Sequence, residues 1–315
     1  MHSTNASVAM QARGPFHGIY TICPTPFHAD MSVDVDSIRS LTEFQIQAGV
    51  KGLAILGFLG ELHKLSNAER KQVIQAYVAA AAGRVPVWTG VRALGIAGAV
   101  EQCQEAQALG ASAVFAAPLD TTSDAMQFEY YQTLAKSVDI PVVIHDFPDS
   151  FSTEIKAEVI ARLAKEGGVN IIKMEEPPVG QKISRILELS DNQVQVFGGL
   201  GGVYFLEELQ RGAVGTMTGF AFPEILVRIF DKYAAGDYAG AAATFDKYCP
   251  LIRYEFQPKM GLAMRKYVYE QRGVISSQAL RNPGMRMDPI TARELEGVIA
   301  RVGLDIRSSK PLLID

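Results

Sequence analysis

The stretch VVIHDFPDSFSTEIKAEVIARLAKEGGVNIIKMEE, residues 142–176, decides the fold. It opens on an apolar run that ends in His145 and closes on a second apolar run that ends in Lys173. Between them, TEIKAEVIARLAKEG carries apolar residues at helical spacing. Short continuous apolar runs suit parallel strands, which helices cover on both faces. Strand, helix and parallel strand make one βαβ unit.

The unit recurs. Apolar runs at 18–23, 52–56, 85–90, 111–117, 140–145, 169–173, 194–199 and 213–219 alternate with amphipathic stretches, and PEILVRIFDKYAAG follows the last of them. Eight strands, each followed by a helix, predict an α/β fold, a (β/α)8 TIM barrel over residues 15–236. No G-x-G-x-x-G follows the first strand, which argues against a dinucleotide-binding doubly wound sheet. From 237 onward the pattern is helical, which predicts a C-terminal α-helical extension over 237–315 built of three helices. Residues 1–14 lack a charged segment followed by an apolar one and read as a flexible tail, not a signal peptide.

Composition narrows the function. The chain has 315 residues, 48% of them apolar, enough for one large core, and a net charge of −4 that leaves no footprint for nucleic acid. No apolar run reaches the roughly 18 residues of a membrane span. The three cysteines, Cys23, Cys103 and Cys249, are odd in number and widely spaced, so they suggest neither a disulfide framework nor a metal site. A reducing cytoplasm follows as the expected location.

Barrel enzymes build their sites at the C-terminal ends of the strands. Here those ends carry GFLGE (57–61), Arg92, Asp120, His145 and Asp146, Lys173 and Glu175, Gly198 and Gly199, and Thr218. Lys173 follows Ile171 and Ile172, so it stands at the rim of a buried strand. Desolvation there lowers an amine's pKa and frees it to attack a ketone. The alternative is an ion pair with Glu175 or Glu176. His145, on the preceding strand, suits a proton shuttle or a structural hydrogen bond to Asp146 or a carbonyl. Gly57 and Gly60 allow backbone amides to face a small anion, or they form a tight turn and nothing more. Glu61 is a second carboxylate near the site or a helix-start residue. His145, Asp146, Glu61 and Glu175 could also meet a divalent ion, but no H-x-H or H-E-x-x-H spacing supports one, and no metal is expected.

At these residues the sequence resembles the dihydrodipicolinate synthase/N-acetylneuraminate lyase family of class I, Schiff-base aldolases and dehydratases, from about residue 18 to 305. Thr25, Pro26 and Phe27 match the family's TPF turn. Gly57, Phe58, Leu59, Gly60 and Glu61 stand at its G-T-T-G-E turn. His145, Asp146, Phe147 and Pro148 stand at its Y-N-x-P, and Lys173, 28 residues later, at the imine-forming lysine. GAVGTMTG (212–219) is similar to its strand-8 glycine motif. The resemblance implies a cofactor-free lyase acting on a pyruvate-type 2-oxo acid. Lys173 would form the imine, His145 move the proton and Glu175 assist loss of a hydroxyl. The 57–61 turn (Gly57, Phe58, Leu59, Gly60 and Glu61) would hold the carboxylate, and Gly199 and Met217 would line the pyruvyl pocket. It also implies a homo-oligomer, a tetramer in much of the family.

Four departures stand out. Phe58 and Leu59 replace two threonines, His145 replaces a tyrosine, Ser150 falls where the synthase has an arginine, and Leu119 and Asp120 replace a tyrosine pair. The stretches at 212–226 and 249–275, with Glu175 two residues after the lysine, look like the branch of 2-keto-3-deoxy sugar acid dehydratases, notably the one acting on L-2-keto-3-deoxyarabonate. The alternatives are 4-hydroxy-tetrahydrodipicolinate synthase activity on pyruvate and aspartate semialdehyde, and a non-catalytic barrel that only binds a 2-oxo acid.

Overall fold

The computed structural model describes residues 14–314, so the tail expected over 1–14 lies, apart from Gly14, outside the described residues. The elements run β1 (Gly18–Ile22), α1 (Val35–Gln47), β2 (Gly52–Ile55), α2 (Asn67–Ala81), β3 (Val87–Val91), α3 (Ile96–Ala108), β4 (Ala113–Ala116), α4 (Asp124–Ser137), β5 (Val142–Asp146), α5 (Pro148–Phe151), α6 (Ala157–Arg162), β6 (Ile171–Met174), α7 (Val179–Leu189), β7 (Gln195–Gly198), α8 (Phe205–Gln210), β8 (Gly215–Thr218), α9 (Pro223–Ala234), α10 (Tyr238–Glu255), α11 (Gly261–Gln271) and α12 (Pro289–Arg301). The eight strands close into one parallel barrel in sequence order. Each overlaps one of the expected apolar runs, and every strand residue is buried. That is why the runs are continuous rather than alternating: one face meets the barrel interior and the other meets helices. After β8, α10, α11 and α12 are the three expected C-terminal helices.

Two elements differ from the reading of the sequence. The single turn α5 was not expected; Pro148 at its first position presets a helical φ in what looked like a loop. The helix after it stays α-helical only to Arg162 and then widens into a π-turn over Leu163–Gly167.

Side chains alternate along each strand, and this alternation positions the site. Tyr20, Trp88 and Phe197 point inward and meet one another, with ring centroids 4.3, 5.1 and 5.6 Å apart. They fill the lower barrel. A Cβ on Gly52 would lie 2.2 Å from the Tyr20 ring, so only glycine fits opposite it. The same parity brings Val143 then His145 inward on β5, and Ile171 then Lys173 inward on β6. His145 pairs with Lys173 in the sheet register. Ile144, Ile172 and Met174 point outward into the layer of helices. Among the described residues no helix is long and apolar enough to cross a membrane.

Candidate active site

Strand parity puts Lys173, Glu175 and His145 on one side of the barrel mouth, all buried. Lys173 Nζ lies 3.0 Å from His145 Nε2 and donates to Glu175 Oε2, while His145 Nε2 lies 3.2 Å from that same oxygen. The other carboxylate oxygen accepts from the Leu200 amide at 2.8 Å. One oxygen of Glu175 is thus anchored by backbone and the other faces both functional partners. Gly199 makes this possible, since a Cβ there would fall 2.3 Å from Glu175 Cγ. Gly199 therefore shapes the site by admitting Glu175.

Burial sets the charges. It pulls the Lys173 amine below its usual range, against the opposing pull of Glu175. Burial, and then Lys173, lower His145 to about 4, so its imidazole is neutral at pH 7. Burial would raise the Glu175 carboxyl, but Lys173 and His145 outweigh it and hold the group at about 2. The site therefore holds a carboxylate, a neutral imidazole and an amine whose charged form is disfavoured. His145 is wrapped by Phe115, Phe147 and Phe151, whose ring centroids lie 5.6, 6.3 and 4.9 Å from its own. This aromatic wall is the physical source of the desolvation.

A small cavity opens beside His145. Its lining includes Gly57, Phe58, Leu62, His63, Arg92 and Phe151. Within the 57–61 turn, the Gly60 amide donates to Gly57 O and the Glu61 amide to Phe58 O, both at 3.0 Å. Those two donors are spent inside the turn. The amides of Phe58 and Leu59 make no hydrogen bond to the described residues, so an anion could be received there.

Two sequence expectations, those for Glu61 and Asp146, need correction. Glu61 does not face the cavity. It is fully buried and binds Lys266 Nζ at 2.7 Å, Lys64 Nζ at 2.9 Å and the Arg281 amide at 3.1 Å, tying the turn to the C-terminal extension. Its backbone is left-handed, φ 54°, at the cap of a single turn over Leu62–Lys64, the helix-start position that is the other reading of this residue. Met217 lies in the barrel interior in register with Tyr20, one layer below Gly219. Asp146 has the opposite parity to His145; it points out of the barrel to Lys182, 2.7 Å away. It is therefore neither the partner of His145 nor a member of a mouth cluster. Among the described residues no group of three His, Cys, Asp or Glu side chains is arranged to hold a metal.

The sequence reading missed the Leu200 amide, although the run GGLGG (198–202) carried the signal of a tight backbone turn. It also missed the buried pair of Glu255 and Arg265, which meet at 2.7 Å beside the end of β8. No local pattern marks a pair formed across two helices.

Known proteins match this chain over most of its length. The model of the dihydrodipicolinate synthetase family matches residues 15–301. The chain is similar to the L-2-keto-3-deoxyarabonate dehydratase of Azospirillum brasilense, 29% identical over 292 residues that cover 90% of this chain and 94% of the relative. It is similar to the 4-hydroxy-tetrahydrodipicolinate synthase of Rhizobium meliloti (strain 1021), 30% identical over 92% of this chain and 99% of that one. The crystal structure of dihydrodipicolinate synthase from Rhodopseudomonas palustris superposes with a TM-score of 0.86 at 33% identity, over 91% of this chain and 97% of that one.

Proposed function

The chain belongs to the dihydrodipicolinate synthetase family, and on that premise we propose that Lys173, His145 and Glu175 carry out a Schiff-base dehydration of a 2-keto-3-deoxy sugar acid. As a member of this family it is a class I lyase that acts on a pyruvate-type 2-oxo acid. One observation supports the choice of residues above the others: a buried amine, disfavoured as a cation, in contact with both a neutral imidazole and a carboxylate.

The steps follow from that contact. Neutral Lys173 attacks the C2 carbonyl carbon, and loss of water leaves an iminium. The iminium draws electrons from C3 and acidifies its C–H. His145 Nε2, neutral at pH 7, accepts that proton and an enamine forms. The enamine electrons expel the C4 hydroxyl, which takes a proton from the imidazolium and leaves as water. Glu175 stabilises the imidazolium while it exists and steers the proton. Water then hydrolyses the conjugated iminium and frees Lys173. The amides of Phe58 and Leu59 receive the substrate carboxylate.

Synthase chemistry is the second reading, supported by the relatives that carry that name. Phe58, Leu59, His145 and Ser150 argue against it, because the hydroxyl relay and the arginine expected for that reaction are missing. A non-catalytic barrel is disfavoured because a pure binder has no use for an amine at this position. We further propose a homo-oligomer, a tetramer by family resemblance, in a reducing cytoplasm, in keeping with three free cysteines.

The test is trapping. Incubation with pyruvate or a 2-keto-3-deoxy sugar acid, then borohydride, should leave a reduced adduct on the peptide that holds Lys173. An intact Lys173 peptide after saturating substrate would remove the imine mechanism. A 2-keto-3-deoxy sugar acid should lose water at C4, whereas pyruvate with aspartate semialdehyde should give no condensation product.

A further inference from the structure

Phe58 and Leu59 leave the carboxylate of a 2-oxo acid with two amide donors and no hydroxyl. A charged donor stands beside them. Arg265 on α11 is only 4% exposed, and its Nε donates to Glu255 Oε1 at 2.7 Å. Glu255 is itself fully buried and is held in place by the Ala221 amide, 3.1 Å and 3.2 Å from its two oxygens. The guanidinium is thus fixed through one nitrogen. Its two terminal nitrogens have no hydrogen-bond partner among the described residues, and neither is closed off from solvent.

The direction of that group follows from Gly219. Parity along β8 makes Gly215, Met217 and Gly219 the inward positions. A Cβ on Gly219 would lie 3.0 Å from Arg265 Nη1 and 2.5 Å from Leu59 Cδ1. Arg265 therefore fills the space an inward side chain at the end of β8 would occupy, beside the turn whose amides are open. Its charge reaches Lys173 and helps to disfavour the ammonium. A guanidinium with two free nitrogens matches a carboxylate in a fork.

We propose that Arg265 is the carboxylate-binding residue of this site, so that the C-terminal helices complete the substrate pocket. This rests on the 2-oxo acid reading given above. The C1 carboxylate of the substrate lies between the guanidinium and the Phe58 and Leu59 amides, which puts C2 within reach of Lys173. Specificity for an acid over a neutral ketone then resides on α11.

The experiment compares pyruvate with pyruvamide, which keeps the ketone and loses the charge. Borohydride trapping on Lys173 is followed against the concentration of each in the wild type, in Arg265→Lys, and in the double variant Arg265→Met with Glu255→Gln, which leaves no buried charge unpaired. In both variants half-saturation by pyruvate should rise about 10- to 100-fold, the loss of one or two charge-assisted hydrogen bonds, while pyruvamide stays within about twofold. Equal shifts for the two ketones, or none for pyruvate, would overturn the proposal. Calorimetric binding of pyruvate to the same proteins separates the two ideas. If no adduct forms on Lys173 but pyruvate still binds in an Arg265-dependent way, the imine reading falls and the carboxylate site stands. If adducts form and the affinity for pyruvate ignores Arg265, the carboxylate site falls alone.

Discussion

His145 is surrounded by three phenylalanine rings and by the Lys173 amine, and this surrounding gives it a role that a solvated histidine could not fill. Held at about 4, it stays a neutral acceptor across the physiological range. Its acid limb should therefore be displaced. Exchange of the C3 protons of pyruvate for deuterium should persist at pH 6 and fall only toward pH 4, because protonation of the imidazole removes the acceptor. A limb centred near 6.5 would mean that another group takes the proton. Replacement by His145→Phe should slow the exchange about 100-fold or more while borohydride trapping survives, since the amine and its attack on the ketone do not need the imidazole. Unchanged exchange would remove His145 from the mechanism. The spacing of 28 residues and the strand-end position made Lys173 and His145 legible in the sequence. Asp146 was misread because one residue of parity reverses the face of a strand, and a strand end gives no local sign of which face is which. Arg265 was illegible for a different reason. It lies on a helix distant in sequence, and only the packing of α11 against the end of β8 shows its direction.

The loops that end β2 and the helix that follows β7 show how elements are held so that the side chains fall in place. After β2, Glu61 is the single acid shared by Lys64 and Lys266, and it also receives the Arg281 amide. Neither Glu61 nor Lys266 has any exposed side chain. Glu61→Gln should therefore cost about 3–5 kcal/mol, because it leaves buried cations unpaired. A urea unfolding midpoint that falls at constant slope would register this, and a loss below about 1 kcal/mol would show that the lysines find other partners or give up their protons. On α8, Glu208 is fully buried and faces Gly198, where a Cβ would lie 1.7 Å from its Oε2. Burial pushes it from 4.5 up to about 8, with the Gly199 amide pulling the other way. A carboxyl raised in the folded state stabilises the fold at low pH, and that contribution is lost as pH rises from the unfolded value through about 8. The thermal midpoint of Glu208→Gln should thus gain on the wild type from pH 5 to 8 and then level off, by about 5 °C at most. A difference that does not change with pH would place the proton elsewhere. These elements were legible as strand and helix from their apolar spacing, but their ties were not, since each acid meets its partner from a distant part of the chain.

At the scale of the molecule, the question is whether the C-terminal helices are an appendage or part of one unit. The eight-strand count and the helical run after residue 237 were readable because period and length distinguish strands from helices. The contacts between them were not. Lys266 binds Glu61 beyond β2, and Arg272, just past the end of α11, meets Glu224 on α9 at 2.7 Å. The Ser276 amide donates to Ser37 on α1 at 2.9 Å, and Arg281 reaches Met31 O at 3.1 Å. The Ala221 amide, just past β8, donates to Glu255 on α10. These ties hold the extension to the first two βα units and to the segment after β8, where the barrel closes on itself, and most are buried ion pairs or hydrogen bonds whose partners would be left unsatisfied by separation. We therefore propose that barrel and extension unfold as one cooperative body. Trp88, the single tryptophan, is fully buried in the barrel interior and reports on the barrel alone. Its fluorescence should lose its native signal over the same urea range in which the amides of α11 lose protection from hydrogen exchange, with one midpoint and one slope. If α11 opens at lower urea while Trp88 stays buried, the extension is a separate unit. In that event pyruvate affinity should fail at the lower midpoint, because Arg265 would leave the mouth before the barrel opened.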